Sequence, residues 1–324
     1  MKFNKGGNME ALVMTNGTAG AIMERPGLDL EALYTRFIDF IQVRQRSLET
    51  YKKALKQFFN YLGARGITEP TRLDIIAYNE QMKAEGKKPT TARLYLTAVK
   101  LFFQWLDQEG IYKNVTAKIK GAKIEAGFKK DYLTTAQAKA LLQSFKRETL
   151  EEKRDYAIIR LSITTGLRTI EIARANVEDL RAVGDEMALY IQGKGKDEKA
   201  DFVKVPAKVY EAIRDYLAAR GAYDMKAPLF AGIGNRNAGG RLSTRCISGI
   251  EKAALIGAGL NSSRLTAHSL RHTAATLNLL NGGTLEETKQ LLRHSNINTT
   301  LIYAHALERA NNKSEARIEA ALGI

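Results

Sequence analysis

Leu291-Leu292-Arg293-His294-Ser295-Asn296-Ile297-Asn298-Thr299-Thr300-Leu301-Ile302-Tyr303 ends on a tyrosine, and two earlier stretches give that tyrosine its meaning. They read His-Ser-Leu-Arg-His-Thr (268–273) and, much further upstream, Thr-Thr-Gly-Leu-Arg-Thr-Ile-Glu (164–171). Together they offer Arg168, His268, Arg271, His294 and Tyr303. Breaking a phosphodiester with a tyrosine needs a nucleophilic oxygen, cations around a pentacoordinate phosphorus, and a proton for the leaving oxygen. A free phenol has a pKa near 10, so it needs cationic surroundings or a base to ionise at neutral pH. Guanidinium groups stay charged and present paired donors that match a phosphate, which removes the need for a divalent metal.

Each of these residues also has an ordinary explanation. Arg168 and Glu171 stand three apart, the spacing of a helix-surface ion pair worth a few tenths of a kcal/mol. One tyrosine among thirteen is ordinarily packing or surface. The histidines could be zinc ligands, but no cysteine cluster or HExxH spacing accompanies them. Gly193 and Gly195, in Gln-Gly-Lys-Gly-Lys (192–196), could cradle a phosphate, but no helix opening on Gly-Lys-Ser/Thr follows. None of the ordinary explanations covers all three stretches at once.

On these motifs the chain resembles the tyrosine recombinase family, the phage integrases and Xer-type recombinases, over roughly residues 29–324. The resemblance implies that Tyr303 is the nucleophile and that Arg168 and Arg271 clamp the phosphate oxygens. It implies that His268 assists proton transfer from the tyrosine and that His294 hydrogen-bonds the phosphate. Lys194 matches the hairpin lysine that protonates the leaving 5′ oxygen, although Lys196 and Lys199 share its turn. Glu171 takes a supporting role, orienting Arg168 or a histidine. His272 and His305 fall outside this set and read as structural. Two positions depart from the family pattern: Arg293 stands where many members have glycine, offering a DNA or subunit contact, and Ala175 replaces a frequent leucine.

The activity so implied is site-specific DNA recombination for integration or excision, through a 3′-phosphotyrosyl intermediate and a Holliday junction. The partners so implied are double-stranded DNA target sites, a homotetramer on two such sites, and accessory directionality or DNA-bending proteins. Neither a metal nor ATP is implied, because the covalent bond conserves the phosphodiester energy. Two other classes are compatible with parts of the pattern. A type IB topoisomerase shares the chemistry but acts alone, and a non-catalytic DNA-binding regulator would be indifferent to Tyr303→Phe.

Composition agrees with a polyanionic partner. Lys and Arg number 50 against 35 Asp and Glu, a net charge of +15. At 324 residues there is room for two domains, each with its own core. Cys246 is the only cysteine, so no disulfide forms within the chain, which suits a reducing cytoplasm. Leu12-Val13-Met14 is cut short by Thr15, Asn16 and Gly17, and no later stretch approaches the roughly 20 apolar residues of a membrane span.

The fold class expected is mainly α. Residues 1–28, Gly-, Asn- and Met-rich, read as a flexible leader, too short for an additional arm-site domain. From 29 to 115, apolar residues recur at three to four positions in four runs, giving a four-helix core-binding, SAM-like domain. Its aromatics, among them Phe58, Phe102 and Trp105, read as core rather than as base-stacking platforms. Residues 116–130, with Lys118, Lys120, Lys123, Lys129 and Lys130, read as a basic linker. A mainly helical catalytic domain follows over 131–306, with capping boxes at Thr134/Gln137 and Thr284/Glu287. A helix from about Asp155 through Ile163 leads into Thr164-Thr165-Gly166. Alternation at Met187, Leu189 and Ile191, then at Phe202, Val203 and Val205, predicts a small antiparallel sheet. Leu307, Ile318, Ala321 and Leu322 predict a tail helix over 307–324, exchanged between protomers.

Overall fold

The computed structural model describes residues 30–41, 45–123, 131–193, 197–235 and 237–323. The leader expected over 1–28 lies outside the described residues. The chain divides into two compact units, Met1–Ala126 and Gly127–Ile324.

The first unit is a helical bundle of α1 (Leu30–Phe40), α2 (Gln45–Ala64), α3 (Arg72–Ala84) and α4 (Pro89–Gln108). Local chemistry sets its boundaries. Thr71 caps α3 through a box with Asp74, and Pro89 opens α4 where its missing N–H costs nothing. Leu33, Phe37, Leu55, Phe58, Tyr78, Phe102 and Trp105 are buried in one core, so the aromatics are indeed packing residues. Leu94, which keeps the three-to-four-residue apolar spacing of the fourth run, is exposed instead. The linker expected from 116 starts on this bundle. Thr116 and Ile119 are buried, Arg72 donates to the Ala117 carbonyl, and the Lys100 ammonium donates to that of Ile119.

The second unit runs through α5 (Thr135–Gln143), α6 (Leu150–Thr165), α7 (Thr169–Arg174), β1 (Leu180–Val183), β2 (Glu186–Ile191) and β3 (Asp201–Lys204). It continues through α8 (Ala207–Arg220), α9 (Thr244–Gly257), α10 (Ala267–Leu280), α11 (Leu285–Leu292), α12 (Asn298–Asn311) and α13 (Ser314–Leu322). The buried α6 is the central element, packed against α8, α9 and α10. It begins five residues earlier than predicted because Thr149 and Glu152 form a capping box ahead of a polar first turn. The sheet is antiparallel in the order β1-β2-β3, with Leu189 facing Leu180 on one side and Val203 on the other. β1 has no predicted counterpart: only its first residue is even half-buried, so no alternation marks it. The predicted tail helix is also divided. Leu307 is buried on α12, the helix that carries Tyr303, and the separate α13 begins at Ser314 with every side chain exposed.

Candidate active site

The site is assembled from three chain segments. The first is the end of α6. Gly166 caps that helix in the left-handed conformation, φ 60°. A Cβ there would be strained by the backbone and would stand 2.7 Å from the Leu292 side chain, which would have to shift, so the turn favours glycine. The chain then re-enters a helix at α7 with Arg168 as its N-cap residue. Arg241 holds the other end of α7 by donating to the carbonyls of Ala173 (2.7 Å) and Ala175 (3.1 Å).

The second segment is α10, which carries His268, Arg271 and His272. Arg271 is buried and donates to two carbonyls, Gly166 from the first segment and Leu292 from the third. It thereby ties the three segments together. His268, one turn earlier, is exposed. The third segment is the α11–α12 corner. His294 follows the left-handed C-cap of α11, and its Nδ1 lies 2.9 Å from the hydroxyl of the buried Thr300. Tyr303, on α12, is only 5% exposed and packs with Ala275 and Leu292. Its ring centroid is 5.2 Å from that of His272.

Charge unifies the cluster. Burial pushes the Tyr303 phenol above its ordinary value, while Arg271 and then Arg168 pull it back. Burial and the neighbouring Arg168 and Arg293 push the Arg271 guanidinium down to about 9, which leaves it charged at neutral pH. Burial, followed by Arg271, Arg168 and Arg293, holds His294 at about 4, so its imidazole is neutral. Burial raises the Glu171 carboxyl, but Arg293 and the bonds from Arg168 outweigh it and leave the group ionised below its usual range.

The structure thus brings Arg168, Glu171, Arg271, His294 and Tyr303 together, with His268 close enough to act on His272. Lys194 and Lys196 lie outside the described residues. Lys199, the third lysine of that turn, is engaged with the Asp179 carboxylate. Glu171 is fully buried, so its pair with Arg168 is not a surface contact; Arg168 Nη1 donates to Oε1 and its backbone N–H to Oε2, both at 2.8 Å. The Arg293 side chain does not reach outward for DNA or a subunit as expected. It turns inward and donates to Glu171 Oε2 at 2.8 Å. His272, read as structural, touches the ring of Tyr303, and Thr300, singled out by no sequence signal, holds His294. The side chain of His305 is outside the described residues. Among the described residues, no three His, Cys, Asp or Glu side chains come together in a way that could hold a metal ion.

The phage integrase family model matches residues 131–309, and that of the phage integrase N-terminal SAM-like domain matches residues 35–110. The chain belongs to the phage integrase family. Among similar members is tyrosine recombinase XerC of Thermodesulfovibrio yellowstonii, 32% identical over 287 residues, 84% of this chain and 90% of that protein. Tyrosine recombinase XerD of Rhizobium meliloti is 27% identical, over 86% of this chain and 93% of its own. The same integrase fold is seen in the XerH site-specific recombinase bound to palindromic difH substrate. There the TM-score is 0.67 at 22% identity, covering 81% of this chain and 78% of that one. A lambda integrase tetramer bound to a Holliday junction matches with a TM-score of 0.65 at 19% identity, covering 85% and 76%. This integrase-family chain is therefore a site-specific tyrosine recombinase acting on DNA. Among its described residues, no helix is long and apolar enough to cross a membrane.

Proposed function

We propose that Tyr303 attacks a DNA backbone phosphate held by Arg168 and Arg271, as the first step of recombination between two duplex sites. The observation that carries this reading is that Tyr303 packs against Leu292, whose carbonyl Arg271 holds, so that the charges of Arg271 on α10 and of Arg168 at the start of α7 both reach its phenol. In the reaction the phenol gives up its proton and its oxygen forms a bond to phosphorus. The bond to the 5′ oxygen breaks, and the leaving oxygen takes a proton to become a 5′-hydroxyl. Lys194 is the donor of that proton, while His268 serves the tyrosine's proton. His294, a neutral imidazole fixed by Thr300, is free to hydrogen-bond the phosphate through its other ring nitrogen. Glu171 orients Arg168. The 5′-hydroxyl of a partner strand then attacks the phosphotyrosyl bond and releases Tyr303. Repeating the exchange on the second strand passes through a Holliday junction and calls for four protomers on two duplexes.

Cations aimed at the developing charge on phosphorus are the form of stabilisation from which enzymes gain most. Arg271 and Arg168 also act against the effect of burial on the phenol and so favour the phenolate. The exposed face of α13, with Ile318 and Leu322 60% and 66% exposed, supports docking of this helix on a neighbouring protomer.

The test uses nicked duplexes cut from DNA flanking the gene, so that the severed strand diffuses away and the adduct accumulates. Digestion and mass spectrometry should find a nucleotide on Tyr303, and Tyr303→Phe should lose the adduct while keeping its affinity for the duplex. Adduct on another residue, or on none, overturns the assignment.

A further inference from the structure

Position 293 holds an arginine in a place shaped for glycine. Arg293 is the C-cap of α11 and has φ 53°, ψ 47°, the left-handed region in which a side chain is disfavoured. Its side chain nevertheless runs inward and is only 13% exposed. Nη2 meets Glu171 Oε2 at 2.8 Å, and Nη1 donates to the Leu291 carbonyl at 2.7 Å. Burying a guanidinium on a strained backbone costs stability, and a plain surface contact would not require it.

The return on that cost is found at Glu171. One carboxylate, fully buried, binds Arg168 by side chain and backbone and Arg293 by side chain. With Arg168 as its only partner, the carboxylate would cancel most of the charge that Arg168 brings to a phosphate. Arg293 supplies a second cation for Glu171, so that among the described residues the guanidinium groups of Arg168, Arg271 and Arg293 all share the field of this carboxylate. Asp201, at the start of β3, also acts on Arg293 but is a lesser partner than Glu171.

We infer that Arg293 is a positioning residue of the recombination site: by binding Glu171 it locks the carboxylate that aims Arg168 and leaves the charge of Arg168 available to the scissile phosphate. It touches no reacting atom, and it works through Glu171. The inference rests on the assignment of Arg168 as a phosphate clamp.

The experiment is single-turnover cleavage of a nicked duplex on which wild-type protein forms the Tyr303 adduct. Arg293→Gly relieves the left-handed backbone, so a loss of rate cannot be ascribed to strain. At saturating DNA this variant should cleave roughly tenfold or more slowly, because a small misplacement of a clamp is expensive in rate, with its affinity for the duplex unchanged. Arg293→Lys should recover part of that rate, and Arg293→Met, of similar bulk but uncharged, should not. A double variant of Glu171→Gln and Arg293→Gly should cleave no more slowly than Glu171→Gln alone. A glycine variant as fast as wild type overturns the inference, as does a lysine variant no faster than the methionine variant or a double variant slower than Glu171→Gln. Absence of any wild-type adduct would overturn the assignment of Tyr303 instead.

Discussion

The first unit buries rings and the second buries charges. In the bundle, Phe37 packs edge-on to Phe102 with centroids 5.3 Å apart, and Phe58 meets Tyr78 at 5.1 Å. The buried polar side chains described there are Asn79 and Thr116, neither of them charged. The second unit instead hides Arg154, Glu171, Asp179, Glu251 and Arg271 from solvent. Aromatic burial stabilises a fold directly, whereas a buried ion needs its partners merely to recover the loss of water. A unit that carries four such ions, with Glu251 buried as the neutral acid, has given up stability for the placement of charge.

The largest effect should therefore come from the bundle. Phe58→Ala removes a fully buried ring and should lower stability by about 3–5 kcal/mol. Urea unfolding followed by the fluorescence of Trp105, the only tryptophan and part of the same core, reads this unit directly. A loss below about 1 kcal/mol would mean that the ring lattice is not what holds the bundle.

In the second unit, Arg271→Leu strands the carbonyls of Gly166 and Leu292. Each buried acceptor left without a donor costs about 1–3 kcal/mol, so at least about 2 kcal/mol should be lost along with cleavage. Thermal melting by circular dichroism checks the first and adduct formation the second. Unchanged melting would show that Arg271 serves the reaction without holding the three segments together.

Glu251 gives a smaller, pH-dependent contrast. Burial pushes this carboxyl up to about 8, and its one described hydrogen bond comes from Ser162 at 2.7 Å. The folded state keeps the proton from the ordinary value near 4.5 up to about 8, while the unfolded chain releases it. Stability from this group is complete at acid pH and is lost as the pH climbs towards 8. Glu251→Gln has no proton to lose, so its melting temperature relative to wild type should rise between pH 5 and about 8.5. A constant difference across that range would refute a proton held on Glu251.

Local capping should matter least. Thr284 Oγ1 accepts the Glu287 N–H at 3.1 Å, and the Glu287 carboxylate receives the Thr284 N–H at 2.6 Å. Thr284→Ala should cost about 1 kcal/mol in urea unfolding. A much larger loss would show that the cap of α11 also controls the corner bearing His294.

Features that depend on neighbours in sequence were legible before the fold was known. The four helices of the bundle, the boxes at Thr134 and Thr284 and the two stronger strands follow from periodicity and capping chemistry. β1 was not legible, because a strand with three exposed residues leaves no alternation. Leu307 read as part of a tail because its burial depends on α12 packing, which no local pattern encodes. The site divides in the same way. Tyr303 and its cationic neighbours stand in recognisable motifs, whereas Thr300 beside His294 and His272 beside Tyr303 are neighbours only after folding.

The sequence alone determined which side chains are available: a phenol, two imidazoles and several guanidinium groups in an order that marks the family. Those identities are written in the covalent chain and need no folding to be read. Only the tertiary structure decided where each charge ends, and Arg293 is the clearest case. Its partner Glu171 is 122 positions away, and its left-handed backbone sends the side chain inward. Whether a guanidinium faces DNA or a buried carboxylate is set by packing across those segments, and sequence spacing carries no information about it.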